Sequence, residues 1–297
     1  MPFLQVHLTL DGLDPEAAEA ACFAAGAVAV TLADAGDAPI LEPKPGATPL
    51  WPSVALSALY DAATRPEVLA ATLRRALGSP GLVLRFETLA DRVWEREWLK
   101  DFRPMRFGRR LWICPGGLAP PAEASAAEAP VIVWLDPGLA FGTGTHATTA
   151  LCLEWLDGAP LAGERVLDVG TGSGILSIAA LALGALSVHA QDIDPQALIA
   201  TRDNAARNGI GSALSVAPAD QAWGGGYGIV LANILAEPLV ELAAPIAAVM
   251  RTGGVVVLSG LLIEQAGAVT AAYAPWFDMQ GPRQRDGWAL LAGQRRA

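Results

Sequence analysis

The segment Val166 to Gly174, VLDVGTGSG, constrains this chain more than any other. An apolar run enters a turn with glycine at every second position, Gly170, Gly172 and Gly174, and leaves as ILSIAALALGA, which reads as a buried helix. Strand, tight turn and helix in that order open a βα unit. Glycines are needed because the chain turns sharply and a ligand must approach the backbone where any Cβ would collide. Eighteen residues beyond Gly174, in HAQDIDP, Asp192 stands at the tip of a second short strand. A carboxylate there can accept hydrogen bonds from both hydroxyls of a ribose. Glycine turn and acid together indicate a nucleoside-containing cofactor.

The details of the turn select among such cofactors. Its spacing is GxGxG, and Ile175 stands where a dinucleotide-binding GxGxxG has its third glycine. Asp168, two residues before Gly170, adds a carboxylate at the strand end. A negative charge there disfavours phosphate and suits a cofactor with a cationic amino-acid end. S-adenosylmethionine has that end and carries no phosphate.

Two further stretches carry candidate chemistry. Upstream, DPGLAFGTGTHATT (Asp136 to Thr149) combines Gly138, Gly142 and Gly144 with the hydroxyls of Thr143, Thr145, Thr148 and Thr149. Thr145 replaces the lysine that a phosphate-binding P-loop places after its last glycine, which argues against an ATPase. His146 is read as a hydrogen-bonding loop residue in preference to a general base. No HExxH or Cys/His cluster is present, so no catalytic metal is expected. Downstream, YGIVLANILAEPL predicts a third buried strand ending on Asn233, at the carboxyl end of a parallel strand where ligand crevices form. The Asn233 side-chain oxygen can accept a hydrogen bond from a substrate amine and aim its lone pair; capping of the next helix is the other role open to it. GTGSG does not fit the GxSxG of a hydrolase elbow.

The remainder of the chain supplies two domains. Residues 1–89 alternate strand and helix signals in the order βαββαβ: Leu4, Val6, Leu8 and Leu10 on one face of a strand, a helix from Pro15 to Ala25 stopped at Gly26, strands through Val30 and Leu32 and through Val54 to Tyr60. A helix opened by a Thr64/Glu67 capping box with Pro66 follows, and a last strand through Leu82, Leu84 and Phe86. This is a small ferredoxin-like α+β domain. Residues 90–130 read as a linker: a helix with Trp94 and Trp98 on one face, then a Pro/Ala/Gly-rich surface loop from Pro115 to Pro130. Residues 131–297 alternate strands and helices, as in a mainly parallel sheet covered on both faces.

Charge follows that division. The chain has a formal net charge of −10, with −5 on residues 1–89, +3 on 90–112 and −8 on 113–297. Such a surface argues against direct nucleic-acid binding and against anionic membrane, and suits a basic macromolecular partner. Cys22, Cys114 and Cys152 form no CxxC pair, and no apolar stretch is long enough to span a bilayer, so a cytoplasmic, monomeric enzyme is expected.

In order and spacing, DPGLAFGTGTHATT, VLDVGTGSGILSIAALALGA, DIDPQAL, RDNAARNG and NILAEPL resemble the PrmA family, methyltransferases of the large-subunit ribosomal protein L11. The resemblance covers nearly the whole chain, with Ala147 where the family often has proline and Thr171 where it often has cysteine. It implies a seven-stranded Rossmann-like methyltransferase domain over residues 131–297. It further implies that Thr149, Gly170, Gly172, Asp192 and Asn233 contact S-adenosylmethionine, and that residues 1–89 recognise ribosomal protein L11. Methylation would fall on lysine side chains and the N-terminal amine, with Asn233 as the catalytic, amine-aligning residue. A nucleobase methyltransferase is disfavoured because Ile234, Leu235 and Ala236 follow Asn233 in place of prolines and a stacking aromatic. Another amine substrate, a nicotinamide reductase and a non-catalytic ribosome-assembly module remain as alternatives.

Overall fold

A computed structural model describes residues 2–36, 49–89, 103–116, 118, 120–126, 129–136 and 142–297. The expected Trp94/Trp98 helix and Gly138 lie outside the described residues. The chain divides into two compact units, Met1–Trp94 and Glu95–Ala297.

The first unit runs β1 (Phe3–Thr9), α1 (Pro15–Ala24), β2 (Ala29–Asp34), β3 (Val54–Asp61), α2 (Pro66–Ala76) and β4 (Arg85–Leu89). Its sheet is antiparallel throughout, in the order β2-β3-β1-β4, the arrangement of two interleaved βαβ units. Alternation decides which face is covered. Leu4, Val6 and Leu8 of β1 and Val54, Leu56, Ala58 and Tyr60 of β3 are buried together with Ala18 and Cys22 of α1 and Leu69 and Leu73 of α2. Each large aliphatic chain among them contributes roughly 1.5–3 kcal/mol. Asp14 caps α1 by accepting the Glu16 N–H, and Gly26, at φ +97°, ends the helical segment.

The Thr64/Glu67 capping box does not form. The N-cap of α2 is Arg65, extended at φ −81° and ψ 117°, with no side-chain cap bond. A residue before proline is pushed into the extended region, so Pro66 starts the helix one residue later than the box requires. Thr64 instead closes a turn through its N–H on the Asp61 carbonyl.

The second unit begins with a three-stranded sheet of β5 (Met105–Phe107), β6 (Leu111–Pro115) and β7 (Val131–Leu135), in that order. The segment expected as a linker, 90–130, therefore supplies two strands. Its loop also contains a short helix, α3 (Ala122–Ala126), with Ala124 buried. The β5–β6 turn is held by the buried Asp157, whose carboxylate accepts the N–H groups of Arg109, Arg110 and Leu111 at 2.6–3.2 Å. Gly108, at φ +64°, lies so close to that carboxylate that a Cβ would collide with it.

The main sheet follows. Its elements are α4 (Ala147–Gly158), β8 (Arg165–Val169), α5 (Ile175–Ala182), β9 (Ser187–Asp192), α6 (Pro195–Arg207), β10 (Leu214–Pro218), β11 (Tyr227–Asn233), α7 (Ala236–Glu241), α8 (Ala243–Val249), β12 (Met250–Leu262), α9 (Ala266–Tyr273), β13 (Phe277–Met279), β14 (Arg283–Arg285) and β15 (Trp288–Arg295). The strands lie in the order β10-β9-β8-β11-β12-β15-β13, with β14 added beside β15. The pairs from β10 to β12 are parallel, and β15 enters antiparallel to β12. Order reverses between β8 and β11, so the crevice beyond their carboxyl ends is a topological switch point. Strand β8 ends at the glycine turn and β11 at Asn233. Both faces of this sheet are covered: one core joins α4 and α5 to β8 and β11 through Leu153, Leu156, Ile178, Val166 and Leu231. The other joins α7, α8 and α9 through Leu239, Ile246, Val269 and Leu167.

Candidate active site

The turn after β8 is built as its glycines require. Gly170, Gly172 and Gly174 have φ of +74°, +57° and +82°, a region in which a side chain is strained. A Cβ on Gly170 would run into the Ile234 side chain, and one on Gly174 would lie 3.0 Å from the Thr201 Cα. The N–H groups of Gly170 and Thr171 both donate to the Gln191 carbonyl, at 2.8 and 3.0 Å, which binds the turn to the end of β9.

Asp192 stands at that end. Its Oδ2 accepts the Gly172 N–H at 2.9 Å and its Oδ1 accepts the Asp194 N–H at 3.0 Å. Each oxygen keeps lone pairs for a further donor, and the two backbone bonds fix the plane in which they point. Oriented acceptors of this kind suit a pair of ribose hydroxyls.

Asp168 behaves differently from a ligand contact. It is 1% exposed, and its Oδ2 takes the hydroxyls of Ser177 at 2.6 Å and Thr171 at 2.9 Å. Burial raises its pKa from 3.8 to about 6, against the opposing pull of those hydroxyls. Its role is to tie the turn to the first turn of α5, with its charge directed into the turn. Phosphate would find a buried acid behind the loop, which agrees with a cofactor lacking phosphate.

Asn233 and Thr149 meet across the site. The Asn233 Nδ2 donates to the Thr149 Oγ1 at 3.3 Å, and Thr149, in the first turn of α4, is fully buried. The Asn233 Oδ1 is buried and has no hydrogen-bond partner. Buried polar atoms are nearly always paired, so an orphaned acceptor at the carboxyl end of a central strand points to a donor supplied by a ligand. The helix-capping role left open for Asn233 is not taken: α7 starts at Ala236 with Leu235 as its N-cap. Ile234 links the pairs. Its side chain abuts Gly170, and its backbone abuts Gly260, where φ is +85° and a Cβ would lie 2.7 Å from the Ile234 carbonyl carbon.

His146 is the N-cap of α4. Its Nδ1 pairs with the Thr148 hydroxyl at 2.8 Å, and its ring packs edge-on against Trp288, 4.8 Å between centroids. Burial lowers its pKa, so it is neutral near pH 7. Among the described residues no three His, Cys, Asp or Glu side chains are grouped to hold a metal ion, and no helix is long and apolar enough to cross a membrane.

The family model of ribosomal protein L11 methyltransferase (PrmA) matches residues 2–296. The chain belongs to the ribosomal protein L11 methyltransferase family. A ribosomal protein L11 methyltransferase of Pseudomonas aeruginosa (strain LESB58) is 52% identical over 303 residues, covering all of both chains. One from Azotobacter vinelandii is 49% identical over 305 residues, again over both full lengths. Among solved structures, the ribosomal protein L11 methylase of Lactobacillus delbrueckii subsp. bulgaricus superposes with a TM-score of 0.58 at 34% identity. It covers 66% of this chain and all of that one.

Within this member of the family, the residues singled out from sequence converge. Gly172 bonds Asp192, Thr149 bonds Asn233, and Gly170 touches the residue after Asn233. Sequence reading passed over Gly260, Trp288 and Asn204, and weighed Ser173 only as a hydrolase nucleophile. The Ser173 Oγ donates to the Gly142 carbonyl at 2.6 Å, joining the glycine turn to the Asp136–Thr149 stretch. Only the RDNAARNG motif, with asparagines four apart on a helix, carried a signal for this group.

Proposed function

We propose that this protein transfers methyl groups from S-adenosylmethionine to amino groups of ribosomal protein L11, on lysine side chains and the N-terminal amine. The buried, unpartnered Asn233 Oδ1 beside the glycine turn carries this reading. The residues fit the cofactor: Asp192 offers oriented acceptors for ribose hydroxyls, Gly170 and Gly172 leave backbone accessible, and Thr149 holds the amide of Asn233. The cofactor supplies an activated methyl group on sulfonium, whose departure leaves a neutral thioether.

The chain has to present an amine in its neutral form, since a lysine amine has a reference pKa of about 10.4 and its ammonium has no lone pair. A carboxylate at position 233 would hold the ammonium. The neutral amide oxygen accepts one N–H without that bias, and desolvation in the crevice favours the uncharged amine. With its amide fixed by Thr149, Asn233 would align the substrate nitrogen on the methyl group that bound S-adenosylmethionine would supply. A neutral amine held in line needs alignment more than a strong base, and Asn233 is the residue placed to align it. His146, neutral and engaged in capping α4, supports the placement of Thr149.

The reading extends to residues 1–89 as the unit that recognises L11, and to the protein as a cytoplasmic monomer without direct nucleic-acid contact. The −10 charge supports a basic protein partner. The deciding experiment incubates purified protein with S-adenosylmethionine and unmodified L11. Release of S-adenosylhomocysteine with mass gains in steps of one methyl on L11 is the expected result, and no mass gain refutes the assignment.

A further inference from the structure

The helix α6 treats strand β7 as though it were a neighbouring strand. Asn204 Oδ1 accepts the Asp136 N–H at 2.9 Å and its Nδ2 donates to the Asp136 carbonyl at 3.0 Å. One helical turn on, Asn208 does the same to Trp134, at 2.8 and 2.6 Å. The match is geometric: four residues of helix rise about 6 Å, and two residues of strand rise about 6.6 Å. Asparagines four apart therefore meet alternate residues of a strand and satisfy its free edge.

The second bond of each Nδ2 differs: that of Asn208 stays within the helix, on the Asn204 carbonyl at 2.7 Å, while Asn204 reaches out of it. Its Nδ2 also donates to the Ser173 carbonyl at 2.9 Å, within the glycine turn, and Asn204 is only 1% exposed. Ser173 in turn reaches the Gly142 carbonyl through its Oγ. The glycine turn is thus bonded to Asp136 through Asn204 and to Gly142 directly.

Resting on the cofactor reading above, we propose that Asn204 is a positioning residue for S-adenosylmethionine: it holds the glycine turn in register with Asp136, at the end of β7, so that the turn is set before the cofactor binds. Asn208 serves the strand edge and the last turn of α6.

The test uses the full-length protein and S-adenosylhomocysteine binding by titration calorimetry. Asn204→Asp keeps the acceptor for Asp136 but turns a carboxylate oxygen toward the carbonyls of Asp136 and Ser173. Asn208→Asp makes the matching change, toward the carbonyls of Trp134 and Asn204. Asn204→Asp is expected to weaken binding about tenfold or more, with a raised KM for S-adenosylmethionine, kcat at saturation within about threefold and KM for L11 unchanged. Asn208→Asp is expected to lower the melting temperature comparably and leave affinity within about threefold. Asn204→Ala, which adds no charge, serves if the aspartate variant does not fold. Wild-type affinity in the Asn204 variant, or equal weakening by Asn208→Asp, overturns the positioning role alone. A wild-type protein that binds no S-adenosylhomocysteine overturns the cofactor reading and this inference with it.

Discussion

The Asn233 amide donates to the Thr149 hydroxyl at 3.3 Å while its oxygen stays buried without a partner. One half of the side chain is anchored and the other has no partner. Asn233→Ala is expected to lower kcat for L11 methylation about 100-fold, the scale of losing alignment at a reacting atom. Thr149→Val, which keeps shape and removes the hydroxyl, is expected to lower it about tenfold. Steady-state kinetics at saturating substrates would reveal this, and a kcat unchanged in Asn233→Ala would remove the residue from the chemistry.

Asp168 sets a pH dependence of stability. Its folded pKa, about 6, lies above the 3.8 of an ordinary aspartate, so between these values the folded state binds more protons than the unfolded one. Stability from this group is present below pH 4 and is lost as pH rises through 6. Urea unfolding of wild type and Asp168→Asn at pH 4 and pH 7 should differ in this direction. The wild type is expected to lose on the order of 1–3 kcal/mol relative to the variant over that interval. Parallel curves would show that the carboxylate is not perturbed.

Gly260 joins its own positive φ of +85° to a close approach to the Ile234 backbone. Gly260→Ala must strain one or displace the other, and Ile234 follows Asn233 directly. A loss of about 1–3 kcal/mol in stability, together with a fall in kcat larger than that of surface alanine variants, is expected from thermal melts and kinetics. Full activity in a stably folded variant would show that Ile234 can shift without moving the amide.

Removal of residues 1–89 should separate recognition from cofactor binding. Every site residue described here lies in the second unit, whose two main cores draw only on residues from Met105 onward. The truncated protein is expected to bind S-adenosylhomocysteine with wild-type affinity, by calorimetry, and to leave L11 unmethylated. Retained methylation would place recognition elsewhere.

Where periodicity was uninterrupted, the fold was legible. The alternation of β1 and β3, the stop at Gly26 and the βα unit at Val166–Gly174 follow from local chemistry. The strands at Met105–Phe107 and Leu111–Pro115 were not legible, because Arg103, Arg106, Arg109 and Arg110 make the segment read as a charge run. Only Asp157, more than forty residues away, collects the N–H groups of that turn. The Thr64/Glu67 motif misled because Pro66 dictates the conformation of the residue before it.

The sequence alone determined which backbone could turn and which strand ends could carry a polar group, since glycine spacing and apolar runs act within a few residues. Tertiary structure decided what those groups face. Asp168 was legible as an acid near a cofactor, yet the fold directs it to Ser177 and Thr171. Asn233 was legible as either a cap or a ligand contact, and Thr149, eighty-four residues away, settles which atom stays free. Hydrogen bonds are specific to distance and direction, and for residues this far apart both are set only when the sheet and its helices have packed.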